Sequence, residues 1–260
     1  KVGLKAMIEV DGTLFIFYRN SESETRFIKS TDGGETWTDD TLIAQMGPNT
    51  WEHKNYYIMT GVHVAPDGSI HVAVVKRETG LGTWGSWKRL FYMKSDDLGV
   101  TWKKADGTVI SLPGDETTMD DIDPDHNGQI GADMCFDANN NPVILYSLES
   151  SSDPNKRDWK IAKWNGSAWE IRTIVTGVNR YIWNHGQIRR TGADTYEAYL
   201  VMSSEVEGGD FWIEKWVSND GGVTWSKEAD IAKETENDFA VPYIVRNHHP
   251  DFLLIYGEGP

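Results

Sequence analysis

The chain has 260 residues, 39% of them hydrophobic, with 12 Trp, 10 Tyr, 25 Gly and a formal net charge of −15. That length supports a full hydrophobic core in one domain, and the composition suits many short, aromatic-rich strands punctuated by turns. The acidic balance argues against a nucleic-acid partner, because phosphates demand a basic surface, but it is compatible with an anionic glycan held in a local basic cleft.

In chain order, one unit recurs with almost no helical periodicity: an apolar strand, a turn carrying Asp, Gly or Asn, then a strand ending in an aromatic. The first runs from Leu4 to Arg19 and turns at Asp11-Gly12; outer strands follow at Arg26 to Lys29 and Asp39 to Ile43. The second runs from Thr60 to Lys76, with an outer hairpin from Leu90 to Trp102 and Val109 to Leu112 closing it. The third runs from Gln129 to Leu148, and its outer hairpin turns at Asn165-Gly166, a strong hairpin signal. The fourth runs from Gln187 to Met202, and a fifth begins at Phe239. The units start roughly 55 to 70 residues apart, a blade-like period. We therefore expect one all-β domain over 1–260, with four-stranded antiparallel blades near 1–50, 51–115, 126–176 and 182–232, and a partial one at 238–260. About five blades either close a small ring or form part of a larger propeller. The chain opens almost inside a strand, which raises the expectation of a removed upstream segment. No signal-peptide pattern or transmembrane-length apolar run is visible. Cys135 is the single cysteine, so no intramolecular disulfide is expected; it reads as a small buried hydrophobe.

Between the outer strands, one frame appears three times. It is Ser30 to Trp37, Ser95 to Trp102 and Ser218 to Trp225, each reading Ser-x-Asp-x-Gly-x-Thr-Trp. The Asp carboxylate can accept hydrogen bonds from its own turn. The Gly can take the positive φ that closes the turn, and the Trp offers a large apolar face. Three copies mark a repeat protein.

This frame is the Asp-box, and the repeats resemble those of sialidase-like β-propellers, also called bacterial neuraminidase repeat proteins. The resemblance implies a structural role, away from the active face, for Asp32, Trp37, Asp97, Trp102, Asp220 and Trp225. Further stretches resemble the branch holding β-propeller polysaccharide lyases and rhamnose-cleaving enzymes. They include Gly12 to Arg19, Tyr92 to Ser95, Trp102 to Thr108, Asn141 to Tyr146 and Ala162 to Trp169. In those lyases an Arg ending a Phe-Tyr-Arg strand neutralises the substrate carboxylate, which on this chain is Arg19. The chemistry is removal of a proton α to a uronate carboxylate, where a cation stabilises the developing charge and a His or Tyr moves protons. The competing reading of Arg19 is a strand-end salt bridge. The family's catalytic Tyr lies on the preceding strand, but Val2 to Ala6 contains none, so the family's acid and base cannot be transferred residue by residue.

Other candidates come from residue type and position. His126-Asn127-Gly128-Gln129 and Asn184-His185-Gly186-Gln187 echo each other at the entrances of inner strands, so His126 and His185 are candidate acid-base residues, with Tyr243 a third. A solvated loop His is the plain alternative. His53 and Tyr57, in a polar-aromatic loop, are candidates for sugar stacking, and Arg77, Arg189 and Arg246 for binding an anionic substrate. Three converging arginines would be a sialidase arrangement, but no Tyr/Glu nucleophile pair is identifiable. The acidic run from Asp115 to Asp125 has oxygens enough for Ca²⁺ but lacks a calcium-loop spacing, so a solvated loop is expected. His248-His249 lacks a second ligand motif; no metal or other cofactor is assigned. The expected function is a carbohydrate-active propeller, a lyase or related glycosidase on a uronate-containing poly- or oligosaccharide. The alternatives are a non-catalytic glycan-binding scaffold and a sialidase. The resemblance implies a secreted or periplasmic location.

Overall fold

The computed structural model describes residues 3–20, 24–45, 56–78, 86–126, 128–150, 153, 155–179, 186–205, 208–232, 239–245 and 253–258. For residues 3–5, 56–60, 77–78, 86–87, 132, 208–209, 232, 239–241 and 255–258 this covers the backbone alone. Among the described residues there is no helix, hence none long and apolar enough to cross a membrane. The chain divides into two compact units, one of residues 1–131 with 164–169 and one of 132–163 with 170–260.

In the first unit, β1 (Gly3–Val10), β2 (Thr13–Arg19), β3 (Thr25–Ser30) and β4 (Thr41–Ala44) form an antiparallel meander in chain order. The β1–β2 turn is tight because Asp11 and Gly12 both take positive φ, 49° and 78°, as a two-residue hairpin of this twist requires. Alternation along β2 and β3 buries Phe15, Phe17 and Phe27 on one face. That face packs on a second sheet of β5 (Tyr56–Val64), β6 (Ile70–Glu78), β7 (Ser86–Ser95), β8 (Trp102–Lys103) and β9 (Val109–Ile110). Trp102, fully buried, meets Phe17 edge-on at 6.4 Å and Phe27 at 6.2 Å between ring centroids.

The outer edge of this second sheet departs from the sequence expectation. Val109–Ile110 pairs with β8 and not with β7. The tight turn Lys104–Thr108, closed by a 2.8 Å bond from Lys104 N to Thr108 O, folds the chain back too early. The edge of β7 is covered in two pieces: Lys103 opposite Lys94, and β10 (Asp120–Asp121) opposite Tyr92 and Phe91. The acidic run is therefore not a solvated loop. Met119 and Ile122 sink into the unit and Asp123 is buried with them. Burial raises the carboxyl pKa of Asp120 and Asp121 against the opposing hydrogen bonds.

The third sheet has the order β11 (Ile130–Phe136), β12 (Pro142–Glu149), β13 (Lys156–Trp164), β14 (Trp169–Asn179). In the second unit it packs on a fourth sheet of β15 (Gly186–Arg190), β16 (Tyr196–Glu205), β17 (Gly208–Ser218) and β18 (Ser226–Ala232). Tyr199, Val201, Phe211 and Ile213 on the other face of the fourth sheet meet Ile244 and Leu254 of the hairpin β19 (Phe239–Ile244), β20 (Leu254–Glu258). Cys135 is partly buried against the core between the third and fourth sheets, where burial pushes its thiol pKa up.

The three Asp-boxes are built alike. In the first, Ser30 Oγ donates to Asp32 Oδ1 at 2.7 Å, and Gly34 N donates to Ser30 Oγ at 2.9 Å. Thr36 donates to Asp32 through its amide at 2.9 Å and its hydroxyl at 2.5 Å. Ser95, Asp97, Gly99 and Thr101 repeat this geometry, as do Ser218, Asp220, Gly222 and Thr224. The second and third boxes also dock on the preceding sheet. Lys29 Nζ donates to Leu98 O at 3.0 Å, and Lys163 Nζ to Gly221 O at 3.3 Å. A Cβ on Gly99 would lie 2.9 Å from Phe27 Cζ, and one on Gly222 would lie 2.7 Å from Ile161 Cδ1. The Gly of the frame is thus set by close approach as well as by φ in the second and third boxes, and by φ alone at Gly34 in the first.

Candidate functional site

Each meander has two ends, one carrying the inner turn and the outer hairpin tip (the Asp-box where present), the other carrying the inner-strand entrance and the second loop. In the first unit the ends of the two sheets align: Lys29 meets Leu98 at the Asp-box end, and Ala44 bridges Gly114 at the other. Arg19 closes β2 at that other end, opposite Gly3 and Thr25. The loop after it is fixed by buried Glu24. Its carboxylate accepts from Asn20 Nδ2 at 2.5 Å, Arg26 Nε at 2.8 Å and Gln45 Nε2 at 2.8 Å.

His126 lies at the same end of the second sheet. Its Nδ1 is 2.7 Å from Asp123 Oδ1; Asp123 is 4% exposed, whereas the His126 side chain is 45% exposed. A carboxylate oxygen accepts, so Nδ1 is the donor in this contact. Gln129, fully buried, braces this loop. Its Nε2 donates to Asp123 O at 2.6 Å and His126 O at 2.9 Å, and its Oε1 accepts from Leu90 N at 2.7 Å. Ion pairs Lys76–Glu116 and Arg89–Asp121 tie the same segment to β6 and β7. Sequence reasoning missed Asp123, Gln129 and Glu24. The available signal was the placing of Met119 and Ile122 among the acids, since apolar residues in a charged run mark a segment packed on one side.

The remaining candidates divide: the backbones of Tyr57 and Arg77 lie at this same end of the second sheet, at the start of β5 and the end of β6, whereas Arg189 and Tyr243 belong to the second unit. Arg189 sits near the β15–β16 turn, and Arg190 pairs through Tyr196 with Ser218 of the third Asp-box. Arg189 is therefore at the Asp-box end of its sheet and not at the strand-entrance end. Its guanidinium is engaged by Glu197 at 2.6 and 2.7 Å, with Lys215 and Tyr199 on the same carboxylate. Burial would raise the Glu197 pKa, but the bonds from Lys215, Arg189 and Tyr199 outweigh it and hold the carboxylate below its ordinary range. Tyr243, in the second unit, is 59% exposed and opposite Ile255 near the β19–β20 turn. Tyr57 and Arg77 lie on β5 and β6, opposite Val75 and Trp87, with side chains outside the described residues. His53, His185 and Arg246 lie outside the described residues. Among the described residues no three His, Cys, Asp or Glu side chains group to hold a metal.

The profile of a BNR repeat-containing family member matches residues 5–176, more than half of the chain. The chain belongs to the BNR repeat-containing family. A BNR/Asp-box repeat is matched separately at residues 216–227, over the third box. No curated protein matches this BNR chain. Among solved structures it is similar to a PL25 ulvan lyase, at TM-score 0.74 and 16% identity over 98% of this chain and 61% of that one. A complex of that lyase carries -[GlcA(1-4)Rha3S]-. The polysaccharide lyase Uly1 gives TM-score 0.56 and 18% identity over 98% and 54% of the two chains. The Hadza microbial sialidase Hz136 gives 0.59 and 16% over 88% and 46%. The BNR chain thus spans about three-fifths of the first lyase, 61% of its length. At such identities the likeness speaks to the fold.

Proposed function

We propose that the sheets are blades of a β-propeller and that this BNR protein acts on an acidic polysaccharide, cleaving it by elimination beside a uronate. The observation that carries this reading is the placing of Arg19 and the Asp123–His126 pair at one end of the first unit, away from the Asp-boxes. In the reaction the Arg19 guanidinium pairs with the uronate carboxylate and stabilises the charge that develops as the α-proton leaves. His126 Nε2 takes that proton. The glycosidic oxygen departs with its bonding electrons as a carbon–carbon double bond forms, and it is protonated by a donor or by water. The likeness to ulvan lyases supports a uronate-containing substrate. The proposal includes a secreted or periplasmic location and no metal cofactor.

The test is ultraviolet absorbance of the unsaturated uronate during incubation with a panel of acidic polysaccharides. A rise that is lost in both Arg19→Ala and His126→Ala supports the assignment; a rise unchanged in Arg19→Ala refutes it. A second reading is a glycan-binding propeller without catalysis, favoured by the lack of a Tyr from Val2 to Ala6 on the strand before Arg19. It predicts measurable glycan affinity with no product on any substrate. Release of sialic acid by the wild type would instead point to the sialidases among its structural neighbours.

A further inference from the structure

We infer that Asp123 and Gln129 are positioning residues that hold His126 as a single neutral tautomer, with Nδ1 protonated and Nε2 presented to a ligand. Three features carry this. Asp123 is itself buried and 2.7 Å from Nδ1, and a carboxylate oxygen accepts, so this contact selects the ring orientation and tautomer that put a proton on Nδ1. The backbone between them is closed by a 3.3 Å bond from His126 N to Asp123 O, which fixes the distance at which the ring meets the carboxylate. Gln129 then spends all three of its polar contacts on this turn and on β7, taking Asp123 O, His126 O and Leu90 N, while its own amide donates to Lys88 O at 3.2 Å. A loop serving only as a connection has no need of a fully buried amide bridging it to the sheet. Nearby Asp121 is paired with Arg89 and does not compete for the ring. Such second-layer partners fix ring orientation and tautomer in acid-base sites generally.

The catalytic arm of this inference rests on His126 being the base; the tautomer arm does not. The experiment is a long-range ¹⁵N–¹H correlation of the histidine rings in the full chain, at about two pH units above the ordinary imidazole value of about 6.5. The His126 signals are assigned by their loss in His126→Gln. Wild type should show Nδ1 protonated and Nε2 bare, and Asp123→Asn should convert this to the other tautomer or a mixture. A wild-type ring that is already mixed, or protonated at Nε2, overturns the inference even if Asp123→Asn does not fold. With a glycan that wild type turns over, Asp123→Asn should lower kcat about 10²-fold, within the range of general-base catalysis, and leave KM within about twofold. If His126→Ala keeps full activity, the base assignment fails while the tautomer result stands. If His126→Ala is inactive but Asp123→Asn keeps both the tautomer and kcat, the positioning inference alone fails.

Discussion

Lowering the pH should destabilise this protein through one buried imidazole, His71, by an amount that the structure sets. His71 is 1% exposed on β6, with Nε2 2.7 Å from Ser69 Oγ and Nδ1 2.5 Å from the hydroxyl of fully buried Tyr92. Ser69 donates its own proton to Asp67 Oδ1 at 2.6 Å, so its oxygen accepts from His71 Nε2. Nδ1 must then accept from Tyr92, and a second ring proton would have to turn that buried hydroxyl away and place a charge in the core. Burial first, and then the positive charge of Lys94, push the His71 pKa down to about 3. The folded value lies below the unfolded one of about 6.5, so the unfolded chain binds the extra proton, and stability is lost as pH falls below about 6.5 toward 3. At pH 5 the unfolded imidazole gains about 2 kcal/mol from protonation that the folded state forgoes, a value set by the unfolded pKa as long as the folded one stays below about 4. Urea unfolding of wild type and His71→Gln at pH 7 and pH 5 isolates this, because the other six of the seven histidines cancel. The stability difference between the two proteins should shrink by about 2 kcal/mol at the lower pH. A difference that stays constant would refute the argument that the Tyr92–His71–Ser69–Asp67 chain excludes a proton.

Three further outcomes follow from the packing. Gly99→Ala should cost more than Gly33→Ala in chemical denaturation. Both have φ near +77°, at 79° and 75°, but only Gly99 places a new Cβ against Phe27, at 2.9 Å, while Gly33 faces open space; the excess should be about 1–3 kcal/mol. Trp102→Ala should cost about 3–5 kcal/mol, as for a large core residue, and Trp37→Ala much less. Trp102 is fully buried, whereas Trp37 is partly exposed and folds back to donate to Gly34 O at 3.1 Å. Hydrogen bonds from Thr224 and Ser218 hold the Asp220 carboxyl at about 2. The stabilisation it gives is present above the ordinary value of about 4 and lost as pH falls through about 2, so Asp220→Asn and wild type should converge in stability only in that acid window.

Sequence patterns located the strands and turns wherever local chemistry was decisive. The Asp11-Gly12 turn, the three Ser-x-Asp-x-Gly-x-Thr-Trp frames and the Asn165-Gly166 hairpin each depend on side chains that bond to their own backbone or relieve their own φ. The split edge of β7 was not legible, because whether Val109–Ile110 or Asp120–Asp121 reaches β7 depends on a turn at Lys104–Thr108 competing with tertiary packing. At the candidate site, Arg19 could be named from the family resemblance and His126 from residue type and position. Asp123 and Gln129 could not, since a buried carboxylate and an exposed one look alike in an acidic run. For Arg189, being basic near an inner-strand end does not say which end of a five-residue strand it occupies, or that Glu197 already holds it.

The two ends of the sheets differ in what their polar groups are free to do. At the Asp-box end, Asp32, Asp97 and Asp220 each take bonds from the Ser and Thr of their own turn, and Lys29 and Lys163 are spent on the carbonyls of the next box. Lys94 holds the matching position on β7, but the third sheet turns at Asn165-Gly166 and offers no box. Lys94 pairs instead with Asp96 at 3.4 Å, while Tyr92 packs edge-on to Trp169 at 5.2 Å. These charges are committed to structure. At the other end of the first unit, the exposed His126 side chain stands at the strand end that also carries Arg19. Substitutions at the two ends should therefore separate cleanly. Asp97→Ala should lower the melting temperature and leave turnover per folded molecule unchanged, whereas His126→Ala should abolish turnover per folded molecule whatever it costs in stability. Activity lost in proportion to folded protein in both variants would mean that the ends do not divide these roles.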